Sequence, residues 1–314
     1  MTASPAAAEL LTLLQVRGIG PTALLAIIRS AGGREILAHA RSVRHGLEGP
    51  PFAEARERAA AVARACERDG IAVIGYCDPD YPEPLRRIPD PPAVIYARGS
   101  LGTLRRRGLA VVGTRRASAS GLRIAAAIAG RLAARGLSVV SGLALGIDGA
   151  AHRGALEAGG VTVAVLAHGL DAVVPESHTA LAREILRRDG ALLSEHPPGT
   201  PPRAAEFVRR NRLQSGISAG SIVVESGRTG GSVHQARFTA RQGRPLFTVR
   251  RSRPGDDLDQ AGAQRLVSEL GAIPLATIAD LEPHLDTIAA PVEGAEARTL
   301  PEPRTVAAQS RLEL

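Results

Sequence analysis

Apolar residues follow two rhythms along this chain, and the rhythm changes near residue 109. From residue 9 to 65 they recur at helical spacing, as in "AAAELLTLLQVRGIGPTALLAIIRSAGG" on both sides of a Gly-Ile-Gly-Pro turn, and again in the charged amphipathic "FAEARERAAAVARACERDG" stopped by Gly70. A proline-rich stretch follows, "CDPDYPEPLRRIPDPPAVIYARGS", in which the prolines argue against regular helix and "AVIYA" predicts a short strand. From residue 109 continuous β-branched runs ("LAVVGT", "LSVVSG", "VTVAVLAH", "ALLSE", "SIVVES", "PLFTVR") alternate with helical segments such as "GLRIAAAIAGRLAARG" and "SHTALAREILRRDG". Such runs imply strands covered on both faces, hence a mostly parallel sheet between helical layers.

The predicted organisation is an α/β protein: a small all-α domain over residues 1–65, a connecting segment over 66–108, a doubly wound Rossmann-like domain over 109–285, and a disordered tail over 286–314 rich in Pro, Ala and Glu. The α/β domain is expected to fold without residues 1–65.

Composition narrows the partners. The chain carries a formal net charge of +8, and with no lysine all 39 of its basic residues other than histidine are arginines. Arginine offers a permanently charged, planar donor fork suited to phosphate, although genome base composition also enriches it. Aromatic residues are only 2% and Trp is absent, so an aromatic base-stacking platform has few candidates. Cys66 and Cys77 belong to no C-x-x-C or Cys/His spacing, which excludes a disulfide scaffold or a recognisable zinc motif; no metal site and no cofactor are predicted. No basic leader precedes the first apolar stretch and no run is long enough to span a membrane, so a cytoplasmic location is expected.

Candidate chemistry gathers at the strand-to-helix turns. "GLAVVGTRRASASG" places Gly113, Thr114, Arg115 and Arg116 where α/β proteins hold phosphates on free backbone amides. The next glycine is Gly121, so the dinucleotide fingerprint fails, and no Gly-Lys-Ser/Thr makes a P-loop. Ser118 is placed to cap the following helix. The two arginines read either as an anion site or, for one of them, as the partner of a buried carboxylate. In the second turn, "VVSGLALGIDGAAHRGAL", Ser141 is outside any G-x-S-x-G elbow. Asp148 and His152, four apart, fit a helix start where Asp148 caps or receives loop amides better than an acid–base pair. Gly142 and Gly146 leave room for a ligand, and "EFVRRNRLQSGIS" carries Arg209, Arg210 and Arg212 around Asn211. Gly18 and Gly20 fit either a helix-hairpin-helix, whose amides approach nucleic-acid phosphate, or a plain turn between packed helices.

Taken in order, "YPEPLRRIPDPPAVIYARGSL", "VVGTRRASASG", "SGLALGIDGAAHRGAL", "VAVLAHGLD", "LLSEHPPGTPP" and "FVRRNRLQSGIS" resemble the DprA/Smf family over about residues 10–285. The resemblance implies an extended Rossmann-like domain that binds single-stranded DNA in a positive pocket, preceded by a helical domain of the sterile-alpha-motif or helix-hairpin-helix kind. It implies no enzymatic activity, a homodimer, protection of incoming strands during natural transformation, and loading of RecA recombinase. By motif, Gly113, Thr114, Arg115, Arg116 and Ser118 belong to the DNA-facing loop, Ser141 and Gly142 to its wall, and Arg210, Asn211 and Arg212 to the opposite rim. Phe207 becomes the candidate base contact, with Gly18 and Gly20 as a secondary DNA contact. The chain departs from the family at Ser120, where Tyr is usual, and in "VVESGRTGGSVHQARFTARQGRPLFTVRR". No counterpart of the winged-helix-like C-terminal domain of many members is recognised, and functions attached to it are not carried over. The alternative, a phosphoribohydrolase-like nucleotide-cleaving enzyme, is disfavoured: Thr229-Gly230-Gly231-Ser232-Val233-His234 lacks the Pro, third Gly and Glu of that family's loop.

Overall fold

The structure is a computed structural model and describes residues 3–31, 35–44, 46–250 and 257–289. The chain opens with α1 (Pro5–Leu14), α2 (Pro21–Ala31), α3 (Ile36–Val43) and α4 (Gly49–Arg68). Ser4 starts α1 by accepting the Ala7 N–H at 2.9 Å, and Pro5 takes the first helical position, where its lost donor has no partner anyway. Then come β1 (Ile71–Gly75), α5 (Glu83–Arg86), β2 (Val94–Gly99), α6 (Leu101–Arg105), β3 (Gly108–Val112), α7 (Ala119–Ala134), β4 (Ser138–Ser141) and α8 (Ile147–Glu157). The remainder is β5 (Thr162–Val165), α9 (Thr179–Arg187), β6 (Ala191–Ser194), α10 (Ala204–Ile217), β7 (Ser221–Val223), α11 (Gly231–Arg241), β8 (Leu246–Val249), α12 (Ala261–Leu270), β9 (Ile273–Leu275) and α13 (Glu282–Ala289).

Nine strands form one sheet in the order β1-β2-β6-β5-β4-β3-β7-β8-β9. All neighbours from β6 to β9 are parallel, whereas β1 pairs with β2, and β2 with β6, antiparallel. This is the doubly wound α/β sheet the alternation predicts. Both faces are dry for the reason the runs are continuous. Leu109 and Val111 of β3 join Val139, Ile222 and Phe247 on one face, under α7, α8 and α13. Ala110 and Val112 join Val140, Val163 and Val223 on the other, under α10. No helix among the described residues is long and apolar enough to cross a membrane.

Two expectations need correction. Besides β2, the strand expected at "AVIYA", the connecting segment over 66–108 contributes β1, and both extend the sheet. The boundary at residue 65 is also crossed by one hydrophobic core, in which Leu10, Leu13, Leu24, Ile28 and Phe52 share a cluster with Ile71, Ile95 and Leu192. Contact there is close: Gly75 of β1 lies so near α1 that a β-carbon would meet Leu10 Cδ1 at 3.0 Å. The Ser4 hydroxyl donates to Asp78 at 2.7 Å, beyond the end of β1. Residues 286–289 close α13, and 290–314 of the expected tail lie outside the described residues.

Strands β4, β5 and β6 lie on one side of β3, and β7, β8 and β9 on the other. The connections leaving the carboxyl ends of β3 and β7 therefore diverge, and they open the crevice where doubly wound sheets take ligands.

Candidate nucleic-acid interface at the sheet switch point

The loop from Gly113 to Ser118 spans this crevice, and β7 fixes it. Thr114 N–H donates to the backbone oxygen of Glu225 at 2.8 Å. The buried Glu225 carboxylate accepts both the N–H and the hydroxyl of Ser118 at 3.0 Å on Oε2, and the Asp259 N–H at 3.1 Å on Oε1. Ser118 Oγ in turn accepts the Gly121 N–H at 2.9 Å, which caps α7. Ser118, expected at the DNA, has its hydroxyl fully engaged within the protein.

The helix amides are engaged as well. Ala119 and Ser120 donate their N–H groups to Asp257 at 3.2 and 3.1 Å. The Ser120 side chain and backbone, ahead of the Ala119 amide, hold the Asp257 carboxyl down to about 2. The start of α7, where the turn pattern predicts a phosphate seat, thus holds one of the chain's own carboxylates.

The arginines are placed differently. Arg115 and Arg116 are exposed, and among the described residues neither has an acidic partner within ion-pair distance. The buried-carboxylate reading of these residues is not what the structure forms. Thr114 Oγ1 accepts the Arg116 N–H at 3.2 Å and turns the loop outward. Arg115 stacks on half-buried Phe207 in the first turn of α10, with its guanidinium carbon 5.2 Å from the ring centroid. The β4–α8 connection lies directly behind. Gly146 adopts φ = +74°, and a β-carbon there would meet the Arg115 carbonyl oxygen at 2.7 Å, so both conformation and space require glycine. Around these loops lies an open cleft of about 530 Å³, whose lining includes Arg115, Arg116, Arg153, His178, Leu122 and Leu145. Leu122 and Leu145 remain 39% and 47% exposed, and among the described residues the lining has one carboxylate, Glu157.

The expected opposite rim is not a rim. Arg210 is 5% exposed and donates to the backbone oxygens of Gly142, at 3.1 Å, and Val165. Burial pushes its guanidinium down to about 10 against the pull of Asp148. Asn211 donates to the Gly231 carbonyl at 3.0 Å. The side chain of Arg212 is 3% exposed, between Glu195 at 2.6 Å and Asp90 at 2.9 Å. These three residues are buried because carboxylates and carbonyls distant in sequence fold over them, and Arg209 is the exposed arginine of that run.

The wall differs from expectation in the same way. Ser141 is fully buried and donates to the Val111 carbonyl at 2.7 Å. Gly142 gives its N–H to Asp148 at 3.0 Å, so Asp148 receives a loop amide. A β-carbon at Gly142 would run into the Arg210 guanidinium, so Arg210 fills the space under the loop. His152 is sealed against Thr162 at 2.6 Å, and burial pushes its imidazole down to about 3, which excludes acid–base work near neutral pH. Gly113 packs against Ile147 and the Glu225 backbone. Gly18 and Gly20 lie between α1 and α2, in the helical layer packed on β1, five strands from β3 in the sheet order. The Gly18 carbonyl accepts Arg44 Nη1 at 3.0 Å. The structure therefore brings together Gly113–Arg116, Gly146 and Phe207, and leaves Gly18 and Gly20 elsewhere. Sequence reasoning missed Glu225 and Asp257. The first ends a strand-like run and was visible as a charged residue there, but nothing local marks the second.

The chain is similar to known proteins in sequence and in fold. Among curated relatives, Protein Smf of Escherichia coli is 44% identical over 169 residues, 54% of this chain and 45% of that protein. DNA processing protein DprA of Bacillus subtilis is 38% identical over 189 residues, 60% of this chain and 63% of that protein. The chain thus matches less than two-thirds of the length of either. Among solved structures, DprA of Streptococcus pneumoniae superposes with a TM-score of 0.74 at 28% identity, covering 90% of this chain and 98% of that one. DNA processing protein A of Helicobacter pylori, described for its single-stranded DNA binding mode, gives 0.61 at 26% identity, covering 69% and 96%. Residues 72–285 match the family profile of DNA recombination-mediator protein A, and the chain belongs to this family.

Proposed function

We propose that the chain binds single-stranded DNA across the crevice between β3 and β7 and acts as a recombination mediator without chemistry of its own. The observation that carries this reading is the pair of exposed arginines, Arg115 and Arg116, at a switch point whose nearby carboxylates Glu225 and Asp257 are already engaged by backbone amides. A guanidinium without an internal counter-ion gains most from a phosphate, which it meets through two parallel N–H bonds. Phe207 holds Arg115 flat, while Leu122 and Leu145 offer apolar surface to unstacked bases that a duplex keeps buried. Gly142, Ser141, Arg210, Asn211 and Arg212 act beneath the surface, holding the loops in place.

The remaining elements of the proposal rest on family membership: a homodimer in the cytoplasm that protects incoming strands during natural transformation and loads RecA recombinase. A non-enzymatic role is supported by the engagement of Ser141 and the sealing of His152, which leave neither free to act as nucleophile or base.

Fluorescence anisotropy with a labelled oligonucleotide tests the reading, comparing single-stranded with duplex DNA at about 50 and 200 mM salt. Tighter binding to the single strand, weakened by salt, is the expected result. Equal affinity for both forms, or none for either, overturns it.

A further inference from the structure

Just before Phe207 in sequence, the start of α10 meets the end of β6. Glu195 and His196 leave β6 directly, and Glu206 sits in the first turn of α10. The loop between them, "EHPPGTPPR", is stiffened by four prolines, and the Ser194 hydroxyl sets its entry by donating to the His168 carbonyl at 2.7 Å while accepting the His196 N–H at 3.0 Å.

One ligand atom from each of Glu195, His196 and Glu206 lies within 4.8 Å of the other two. Three buried atoms there, Glu195 Oε1, His196 Nε2 and Glu206 Oε2, have no hydrogen-bond partner among the described residues. Glu195 is the most telling of them. Its side chain is only 9% exposed, Arg212 holds Oε2 at 2.6 Å, and the fixed carboxylate keeps Oε1 without a donor, since Arg209 Nε is 3.9 Å away. His196 Nε2 and Glu206 Oε2 approach to 3.2 Å, yet the geometry of a hydrogen bond is not met. Two carboxylates and an imidazole with converging unpartnered atoms are costly to bury unless a cation lies between them.

From this we infer that Glu195, His196 and Glu206 bind one divalent first-row transition cation, with Zn²⁺ the best fit. Zinc accepts imidazole nitrogen and carboxylate oxygen at about 2.0–2.2 Å, and in a tetrahedral site this sets ligand atoms about 3.3–3.6 Å apart. The His196–Glu206 pair already stands near that separation, so Glu195 Oε1 needs only a small approach. The imidazole disfavours Mg²⁺ and Ca²⁺. With three protein ligands, the fourth position falls to water on the partly exposed side, where His196 is 17% and Glu206 22% exposed. Metal would fasten the first turn of α10, and so the Phe207 beneath Arg115, to the end of β6. The inference departs from the expectation of no metal site, because residues 195, 196 and 206 follow no recognised ligand spacing and only the fold brings them together.

The test is calorimetric titration of the chelator-stripped full chain with Zn²⁺, paired with thermal melts. One Zn²⁺ per chain is expected, with His196→Ala and Glu206→Gln each weakening binding at least about tenfold, the scale on which even outer-shell changes act. Without metal, Glu206→Gln should melt no lower than the parent, because it removes a repulsive charge; with Zn²⁺, only the parent should gain in melting temperature. A purely structural His196–Glu206 ion pair gives the opposite pattern: a lower melting temperature without metal and no response to Zn²⁺. That pattern overturns the inference. So does Zn²⁺ uptake that survives both substitutions and disappears instead with His234→Ala, an exposed imidazole, or Cys77→Ser.

Discussion

Replacing Arg115 by alanine removes a guanidinium that faces solvent, has no carboxylate partner among the described residues, and touches the Phe207 ring at 5.2 Å. An exposed cation–π contact is worth about 0.5–1 kcal/mol. At about 2–4 °C per kcal/mol for a chain of this class, the melting temperature should fall by no more than about 4 °C. The effect on DNA should be larger and salt-dependent. Losing one phosphate contact flattens the log–log salt slope by about 0.7, so the affinity loss should be about 2.6-fold greater at 50 mM than at 200 mM salt. Arg210→Ala is the matched contrast. It strips donors from the Gly142 and Val165 carbonyls and removes the cation that opposes the burial of Asp148. Breaking such buried charge costs about 3–5 kcal/mol, or a fall of roughly 6–20 °C by the same conversion. Melts and anisotropy titrations on the same preparations separate the two roles. If Arg115→Ala melts as low as Arg210→Ala and still binds DNA with the parent salt slope, the assignment of Arg115 to the interface is wrong.

Three further outcomes are expected. Glu225→Gln leaves a neutral amide against the three donors of Ser118 and Asp259 and should cost about 1–3 kcal/mol in urea unfolding; unchanged stability would mean the β7 end does not fix the arginine loop. His152, held to about 3 when folded against about 6.5 when unfolded, binds its proton only in the unfolded chain across that interval, so its share of stability is intact above about pH 6.5 and is lost at about 1.4 kcal/mol per pH unit as pH falls towards 3. His168, also lowered by burial, acts with the same sign, so His152→Gln should reduce the slope of urea midpoints between about pH 6.5 and 4.5 without abolishing it, and an unaltered slope would refute the burial argument. A chain beginning at residue 66 should lose cooperative unfolding in calorimetry, because α1 and α4 cover β1 within one shared core; a sharp transition at the parent temperature would restore the boundary at residue 65.

The helices before residue 66, the strand at "AVIYA" and the parallel strands β3 to β8 are written in local pattern, and β1, β9 and the order of the sheet are not. Six β-branched runs separated by helices read directly as β3 to β8, because burial on both faces demands continuous apolar strands. The run "IAVIG" of β1 carries the same composition but is five residues long, follows a helix and precedes prolines, and periodicity alone cannot separate a short apolar run from a helix end. Only the four-residue α5 separates it from its antiparallel partner β2, so the pair lacks the full crossover helix that marks the parallel strands. Charge misled in a similar way. Three consecutive polar residues in α10, Arg210 to Arg212, read as exposed, because arginine is seldom buried without a partner. Their partners are Val165, Gly142, Gly231, Glu195 and Asp90, all remote in sequence and supplied by the fold.

Arg115 and Arg116 read correctly as exposed cations, but the reason lies in Glu225 and Asp257. A mononucleotide site on a doubly wound sheet keeps the helix amides free for a single phosphate cluster. Here Ser118 and Asp257 occupy the amides of Gly121, Ala119 and Ser120, and Glu225 takes the amide of Ser118 itself. The carboxylates nearest the loop are therefore bonded to backbone amides, and the positive charge stays on two exposed guanidinium groups at the surface. Such an arrangement holds no single anion tightly in a fixed seat. It suits an extended polyanion, whose successive phosphates meet separate arginines and release counter-ions as they do so.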